Sequence, residues 1–281
     1  MSDDREDVVP KAAKRGHRRL PRFLPSSFAV ILALVIWEAG VRLLEVPLYL
    51  LPPPSIILYR IGHDWQQISL HASVTLAETL VGFGLAILVS IPLAALLCQI
   101  RWVEESLYPI LVASQTIPKV ALAPLLIVWF GFGQTPKILI TFLICFFPIV
   151  VDTMIGLRSI PREVLWLSHS MGAPAWKTFF KIRIPAALPN VFAGIKVAST
   201  LAVVGAVVGE FVGADRGLGY LLIVANGVMD VQLSFAVLVI LSLMGIFLFL
   251  AVDILERLTL PWHISQRRAE GRATRPSEGL T

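Results

Sequence analysis

Charge is what this sequence lacks most. Only 15% of its 281 residues are Asp, Glu, Lys or Arg, where a soluble domain carries about 25%. Hydrophobic residues make up 56%, so the chain cannot cover itself with polar surface and most of it must face lipid. A soluble enzyme and a disordered protein are excluded. Cysteine is scarce as well: Cys98 and Cys145 both lie inside apolar runs. That excludes a disulfide scaffold and reads as buried, inert thiol. The five histidines (His17, His63, His71, His169 and His263) lack metal-ligand spacing, and no glycine-rich phosphate loop is present. His169 reads as a surface residue. The net charge of +5 is dispersed through an oily chain, a poor footprint for nucleic acid. No cofactor, metal or nucleic acid is therefore expected, and the chain reads as an integral protein of the lipid bilayer.

Crossing a bilayer takes about 20 apolar residues. Six helical spans are expected: Phe28–Leu44, Val74–Ile100, Leu107–Phe130, Lys137–Leu157, Asn190–Phe211 and Gln232–Leu255. The fold class is thus all-α and polytopic, with a transmembrane domain over 27–262 between a basic tail (1–26) and a disordered tail (263–281). The second and sixth spans are the cleanest, since Thr79–Ile100 and Leu233–Val252 contain no charge. The third holds Lys119, Pro109, Pro118 and Pro124, the pattern of a broken helix, tolerable where protein or a cavity satisfies the freed backbone groups. The first run has no small-residue cleavage site after it and reads as an anchor rather than a signal peptide.

Orientation follows from Lys and Arg. Residues 1–26, Arg101, the segment 158–189 and the tail 257–281 share one side and hold eighteen of these residues; the opposite loops hold only Arg60 and Arg216. Both termini and the 158–189 segment are expected in the cytoplasm.

Ionisable residues at membrane depth are functional candidates, because burial costs several kcal/mol (order of magnitude) without a partner. Glu38 and Arg42 are four apart and should neutralise each other. Glu78 and Asp152 lie near span ends, where they could reach water, and Lys196 should snorkel. Asp253 is close to the cytoplasmic end of the sixth span. Lys119 and Glu210 are harder to place: they could pair with each other or line a translocation path.

The cytoplasmic segment Pro161–Pro189 is too long and too apolar for a connector. Val164, Leu165, Leu167 and Met171 fall at helical spacing and stop at Gly172. A second helical stretch follows, with Trp176, Phe179, Phe180 and Ile182 as apolar members and Lys177, Lys181 and Arg183 as charges. Pro185 and Pro189 should then break the chain before the next span. This is a helix–Gly–helix hairpin, with glycine permitting the turn. Amphipathicity alone fits both a helix resting on lipid headgroups and a docking helix for a cytoplasmic subunit.

The spacing from Gly172 over nine residues to Ile182-Arg183-Ile184-Pro185 resembles the glycine half of the EAA loop in bacterial ABC importer permeases. Within that family the chain is similar to the nitrate/sulfonate/taurine type. Leu51-Pro52-Pro53-Pro54-Ser55, the stretch Pro118 through Gly133, Phe146-Phe147-Pro148-Ile149 and Gly217-Leu218-Gly219-Tyr220 carry the same resemblance, which covers about residues 45–262. The family's Glu-Ala-Ala is here Trp166-Leu167-Ser168. An acidic contact would have to come from Glu163, one turn earlier, with Trp166 substituting packing for charge.

The resemblance implies a pore-forming permease with no active site of its own. It implies a homodimer of this chain and two ABC ATPase subunits, which hydrolyse ATP. An extracytoplasmic substrate-binding protein would deliver solute at the bacterial inner membrane. Glu163, Trp166, Gly172, Trp176, Lys177, Ile182 and Pro185 would couple the hairpin to the ATPase. The run Gly209–Tyr220 with Ala225-Asn226-Gly227 and Pro261-Trp262 looks like the branch importing thiamine pyrimidine precursors or riboflavin-like heterocycles, ahead of the nitrate/sulfonate/taurine-type anions. The alternative is a secondary transporter with an interfacial amphipathic helix; that class would show inverted repeats and ion-coupling charges, and the sequence has no internal repeat. Neither a catalytic cluster nor a selectivity filter can be read in it.

Overall fold

A computed structural model describes residues 23–99 and 101–261. Most of the basic tail, His17, Trp262, His263 and the C-terminal tail lie outside the described residues. Among those described, all regular structure is helical. Helix α1 (Phe23–Leu43) takes the place of the first expected span. A short α2 (Pro54–His63) starts with proline at its first position, where the missing N–H costs nothing. Helix α3 (Trp65–Leu97) is 33 residues long and begins well before the expected Val74. No charge or proline follows Asp64 until Glu78, so nothing stops the helix from starting there.

Helices α4 (Arg101–Ser114) and α5 (Ala123–Phe130) form the expected broken span, bent by 83° between Ser106–Ser114 and Lys119–Phe130. Pro118 causes the break: it pushes Ile117 out of the helical region, and the chain resumes through a 3-10 turn over Lys119–Leu122. Then come α6 (Gln134–Arg158), α7 (Arg162–Ser170), α8 (Ala175–Thr178), α9 (Ile184–Gly213), α10 (Leu218–Gly227) and α11 (Val231–Thr259). Four helical runs among the described residues are long and apolar enough to cross a membrane: Trp65–Leu97, Gln134–Arg158, Ala175–Gly213 and Val231–Thr259. The bent pair is a fifth if counted as one span.

Helices pack where side chains are absent. Within lipid, apolar contact supplies little drive for association, and close approach of backbones at small residues replaces it. A Cβ on Gly205 would stand 2.8 Å from the Thr141 Cα, and one on Gly209 would stand 2.8 Å from the Lys137 Cα. Gly194 meets Asp152 and the Pro148 carbonyl, and Gly156 meets Asn190 and the Ala187 carbonyl. As the position rises on α9 it falls on α6, so the two run antiparallel along a glycine seam. Gly82 brings α3 onto the same helix, with a Cβ there 2.6 Å from Thr141 Cβ. Around the seam lies a core of Cys145, Ile149, Val150 and Met154 from α6 against Phe192, Ala198 and Ala202 from α9. Both cysteines are buried and neither is in a disulfide, as expected, and the Cys145 thiol donates to the Ala198 carbonyl at 3.4 Å. A second core joins Ile57, Ile68, Leu218, Leu221, Leu233 and Val237 from α2, α3, α10 and α11.

Charged side chains tie helices together. The expected Glu38–Arg42 pair forms at 2.6 Å. Glu38 also accepts from the Ser55 hydroxyl at 2.8 Å and the Ser55 N–H at 3.0 Å, which fastens α1 to the start of α2. Arg60 reaches Asp230 at 2.7 Å, and Asp230 caps α11 by accepting from the Leu233 N–H. Lys196 does not snorkel as expected. It bridges α9 to α11 by donating to Asp253 at 2.5 Å and pairing with Glu256, because two carboxylates one turn apart face it at the same depth.

Candidate functional site

The hairpin expected in the cytoplasm forms as a helix–Gly–helix unit. Helix α7 ends at Ser170 with Met171 as its C-cap, and Gly172 takes φ +72°, a left-handed conformation that favours glycine. The Gly172 N–H donates to the His169 carbonyl at 2.9 Å and the Ala173 N–H to the Ser168 carbonyl at 3.1 Å. These two bonds are a Schellman motif, which satisfies carbonyls that the end of a helix leaves free. Ser168 and Thr178 hydroxyls meet at 2.7 Å and pin α7 to α8.

The second arm departs from the expected layout. Pro185 and Pro189 do not break the chain: Ala175–Gly213 is one helical run of 39 residues. Phe179–Arg183 widens to a π-helical turn, in which the Ile184 N–H donates to the Phe179 carbonyl. The wider turn accommodates the Pro185 ring and its missing N–H, which would otherwise clash with the preceding helical turn. The hairpin is therefore continuous with the α9 span.

Its surface is unusually apolar for a segment expected in the cytoplasm. Trp166 is 66% exposed, Leu167 63%, Met171 77%, Trp176 61% and Phe180 62%. Glu163 and Trp166, three apart on α7, are both exposed, and so is Lys177, whose ammonium lies 5.6 Å from the Trp176 ring centre. Ile182 and Pro185 are half-buried where the hairpin joins α9. A groove of about 700 Å³ opens between Leu165, His169, Trp176, Phe180, Arg183 and Gln99. His169 is exposed, as expected.

Lys119 and Glu210, the two path candidates, sit on different partners. Glu210 is 1% exposed. It accepts from the Thr75 hydroxyl at 2.6 Å and from the Gly219 N–H at 2.5 Å. The Thr75 hydroxyl accepts in turn from the Leu218 N–H at 2.7 Å, and His71 Nδ1 accepts from the Gly217 N–H at 3.0 Å. Three side chains thus cap the start of α10, where free N–H groups and the helix dipole favour a carboxylate. Gly217 and Gly219 are required there, since a Cβ at either would run into the Glu210 carboxyl group. Lys119 instead lies half-buried at the α4–α5 break, with Nζ 3.4 Å from the Gln115 carbonyl and 4.8 Å from the centre of the Phe147 ring.

Three residues of this polar network, His71, Thr75 and Lys137, were given no role by the sequence, and a fourth, Glu78, was expected at a span end. Glu78 does not reach water. It is 1% exposed and accepts from Lys137 Nζ at 2.9 Å, with Lys137 itself 4% exposed. Their signal was the spacing of His71, Thr75 and Glu78, four and three residues apart, which places them on one helical face. Starting the span at Val74 cut that face in two.

Comparison with known proteins agrees with this geometry. Residues 86–260 match the family model described as the binding-protein-dependent transport system inner membrane component. The riboflavin transport system permease protein RibX of Chloroflexus aurantiacus is 41% identical over 88% of this chain and 95% of its own length. The formylaminopyrimidine transport permease protein ThiX of Halalkalibacterium halodurans is 40% identical over 90% of this chain and 100% of its own. The taurine transport system permease protein TauC of Escherichia coli is more distant, 26% identical over 83% of this chain and 87% of its own. An inward-facing structure of the MetNI methionine ABC transporter shares the fold, with TM-score 0.62 and 22% identity over 69% of this chain and 96% of that one. The chain thus belongs to the inner-membrane components of binding-protein-dependent transport systems and is an ABC transporter permease.

Proposed function

We propose that this chain is the permease subunit of an ATP-driven importer at the bacterial inner membrane. It moves an aromatic heterocycle, of the thiamine-pyrimidine or riboflavin type, into the cytoplasm. Two copies form the pore, two ATPase subunits bind beneath it, and a substrate-binding protein delivers solute from outside. The observation that carries the reading is the Gly172 hairpin: five large apolar side chains lie more than three-fifths exposed on a rigid turn expected in the cytoplasm. Water-exposed tryptophans and phenylalanine on a fixed scaffold fit a protein groove. Glu163 and Trp166 present the α7 face, Trp176 and Lys177 the α8 face, and Ile182 and Pro185 join them to the span. The unbroken run to Gly213 passes movement of an ATPase dimer into the membrane without a hinge at the prolines. Two relatives, 41% and 40% identical and named for riboflavin and formylaminopyrimidine transport, support the heterocycle. Of the path candidates, Lys119 lines the route, and Glu210 serves it indirectly by holding α10.

Affinity capture of the chain from gently solubilised native membranes tests this. A P-loop ATPase and a binding protein are the expected companions, and ligand titration of that binding protein names the solute. Absence of any ATPase across several mild detergents would turn the hairpin into a lipid-surface helix and overturn the reading.

A further inference from the structure

Phe147 lies on α6 about 20 Å from its Gln134 end and about 17 Å from its Arg158 end, at the usual helical rise. The Lys119 ammonium, 4.8 Å from that ring's centre, therefore stands near the middle of the membrane. A cation at that depth is costly on a lipid-facing surface, and such residues face a cavity or a partner. Among the described residues no carboxylate pairs with it; its bonds go to the Gln115 carbonyl and the face of Phe147. The second observation is independent: the backbone is broken here, with Pro118 and the 83° bend at membrane depth. Irregular backbone survives at that depth only where it is buried in protein or lines an aqueous space. Phe147 is half-buried and belongs to none of the apolar cores, while Phe146 meets it edge-on at 5.1 Å and packs inward.

We propose that Lys119 and Phe147 form a solute station at mid-depth in the translocation path, taking planar aromatic compounds with an anionic or carbonyl-rich edge. Lys119 has donors left over after Gln115, which donate to ring carbonyls or to an ionised imide, carboxylate or phosphate edge. Phe147 offers an aromatic neighbour for stacking at a centroid separation of about 4.5–7 Å. A small aliphatic anion would use the ammonium alone and gain nothing from the ring. This inference rests on the importer reading and adds where inside the permease the solute is touched.

The test uses the full chain with its co-purified subunits in lipid nanodiscs, without the binding protein. Riboflavin, whose fluorescence reports binding, is the probe, and taurine the competitor. Saturable quenching by the wild type is expected, weakened about tenfold by Phe147→Leu and by Lys119→Met. Lys119→Arg should stay within about threefold, and taurine should not compete. Three results would each overturn the proposal: no saturable binding by the wild type, wild-type binding in both variants, or competition by taurine with loss only in Lys119→Met. ATPase co-purification, read on the same samples, checks assembly of the variants. Its absence in the wild type is a failure of the importer reading instead, distinct from a binding result.

Discussion

Two glycines of one helix give opposite expectations. Gly82 and Gly84 are both on α3, two positions apart and so on different faces. A Cβ on Gly82 would lie 2.6 Å from Thr141 Cβ, 2.7 Å from Thr141 Cγ2 and 2.9 Å from the Ile138 carbonyl oxygen. No rotamer change moves a Cβ or a helical carbonyl, so α3 must back away from α6. A Cβ on Gly84 meets nothing within 4 Å. Overpacking of this kind costs about 1–3 kcal/mol, and the gain in helix propensity from glycine to alanine returns at most about 1 kcal/mol. Gly82→Ala is therefore expected to cost up to about 2 kcal/mol, and Gly84→Ala to gain up to about 1. At about 2–4 °C per kcal/mol for a domain near this size, the melting midpoint in detergent should fall by up to about 8 °C in the first variant. In the second it should hold or rise slightly. Size-exclusion fluorescence after heating reads both. Equal shifts in the two variants would refute the glycine seam as the determinant of packing.

Other expectations follow from the hairpin and the buried pair. Gly172→Pro, which removes the φ +72° turn and the N–H donated to His169, should leave the protein inserted but uncoupled. Retained solute-stimulated ATP hydrolysis would contradict the docking role. Trp166→Glu, restoring the acidic residue of the family pattern, should be tolerated; loss of co-purifying ATPase would mean that tryptophan packing has replaced the charge. Glu78→Ala leaves Lys137 buried without its carboxylate, a loss of about 3–5 kcal/mol, and adding Lys137→Met should recover most of it. Equal instability of the single and double variants, measured by folded yield and melting midpoint, would count against the pair.

The spans over α3, α6, α9 and α11 were legible because apolar runs of membrane length have few other readings. The break at Pro118 was legible because proline acts on its own neighbours. The turn at Gly172 was equally local, and the structure adds the two Schellman bonds that close it. What escaped was non-local. Glu78 and Lys137 are 59 positions apart, and nothing in either flank marks the other as partner. Glu210 was read beside Lys119 because both were stray charges, whereas its partners Thr75 and Gly219 are neutral and carry no signal of their own. The continuity through Pro185 was missed for a physical reason: a π turn upstream of the ring absorbs a defect that proline statistics count as a stop.

The Lys137–Glu78 contact also bears on how the protein enters its membrane. Lys137 stands near the start of α6; with that end outward, as the distribution of Lys and Arg leads one to expect, biosynthesis would carry a cation across the hydrocarbon layer. The chain emerges with α3 first, and Glu78 is in place before α6 is made. Insertion of α6 is thus completed by a counter-charge laid down earlier, and the reverse order would strand an ammonium in lipid. The ion pair couples the two spans in time as well as in space.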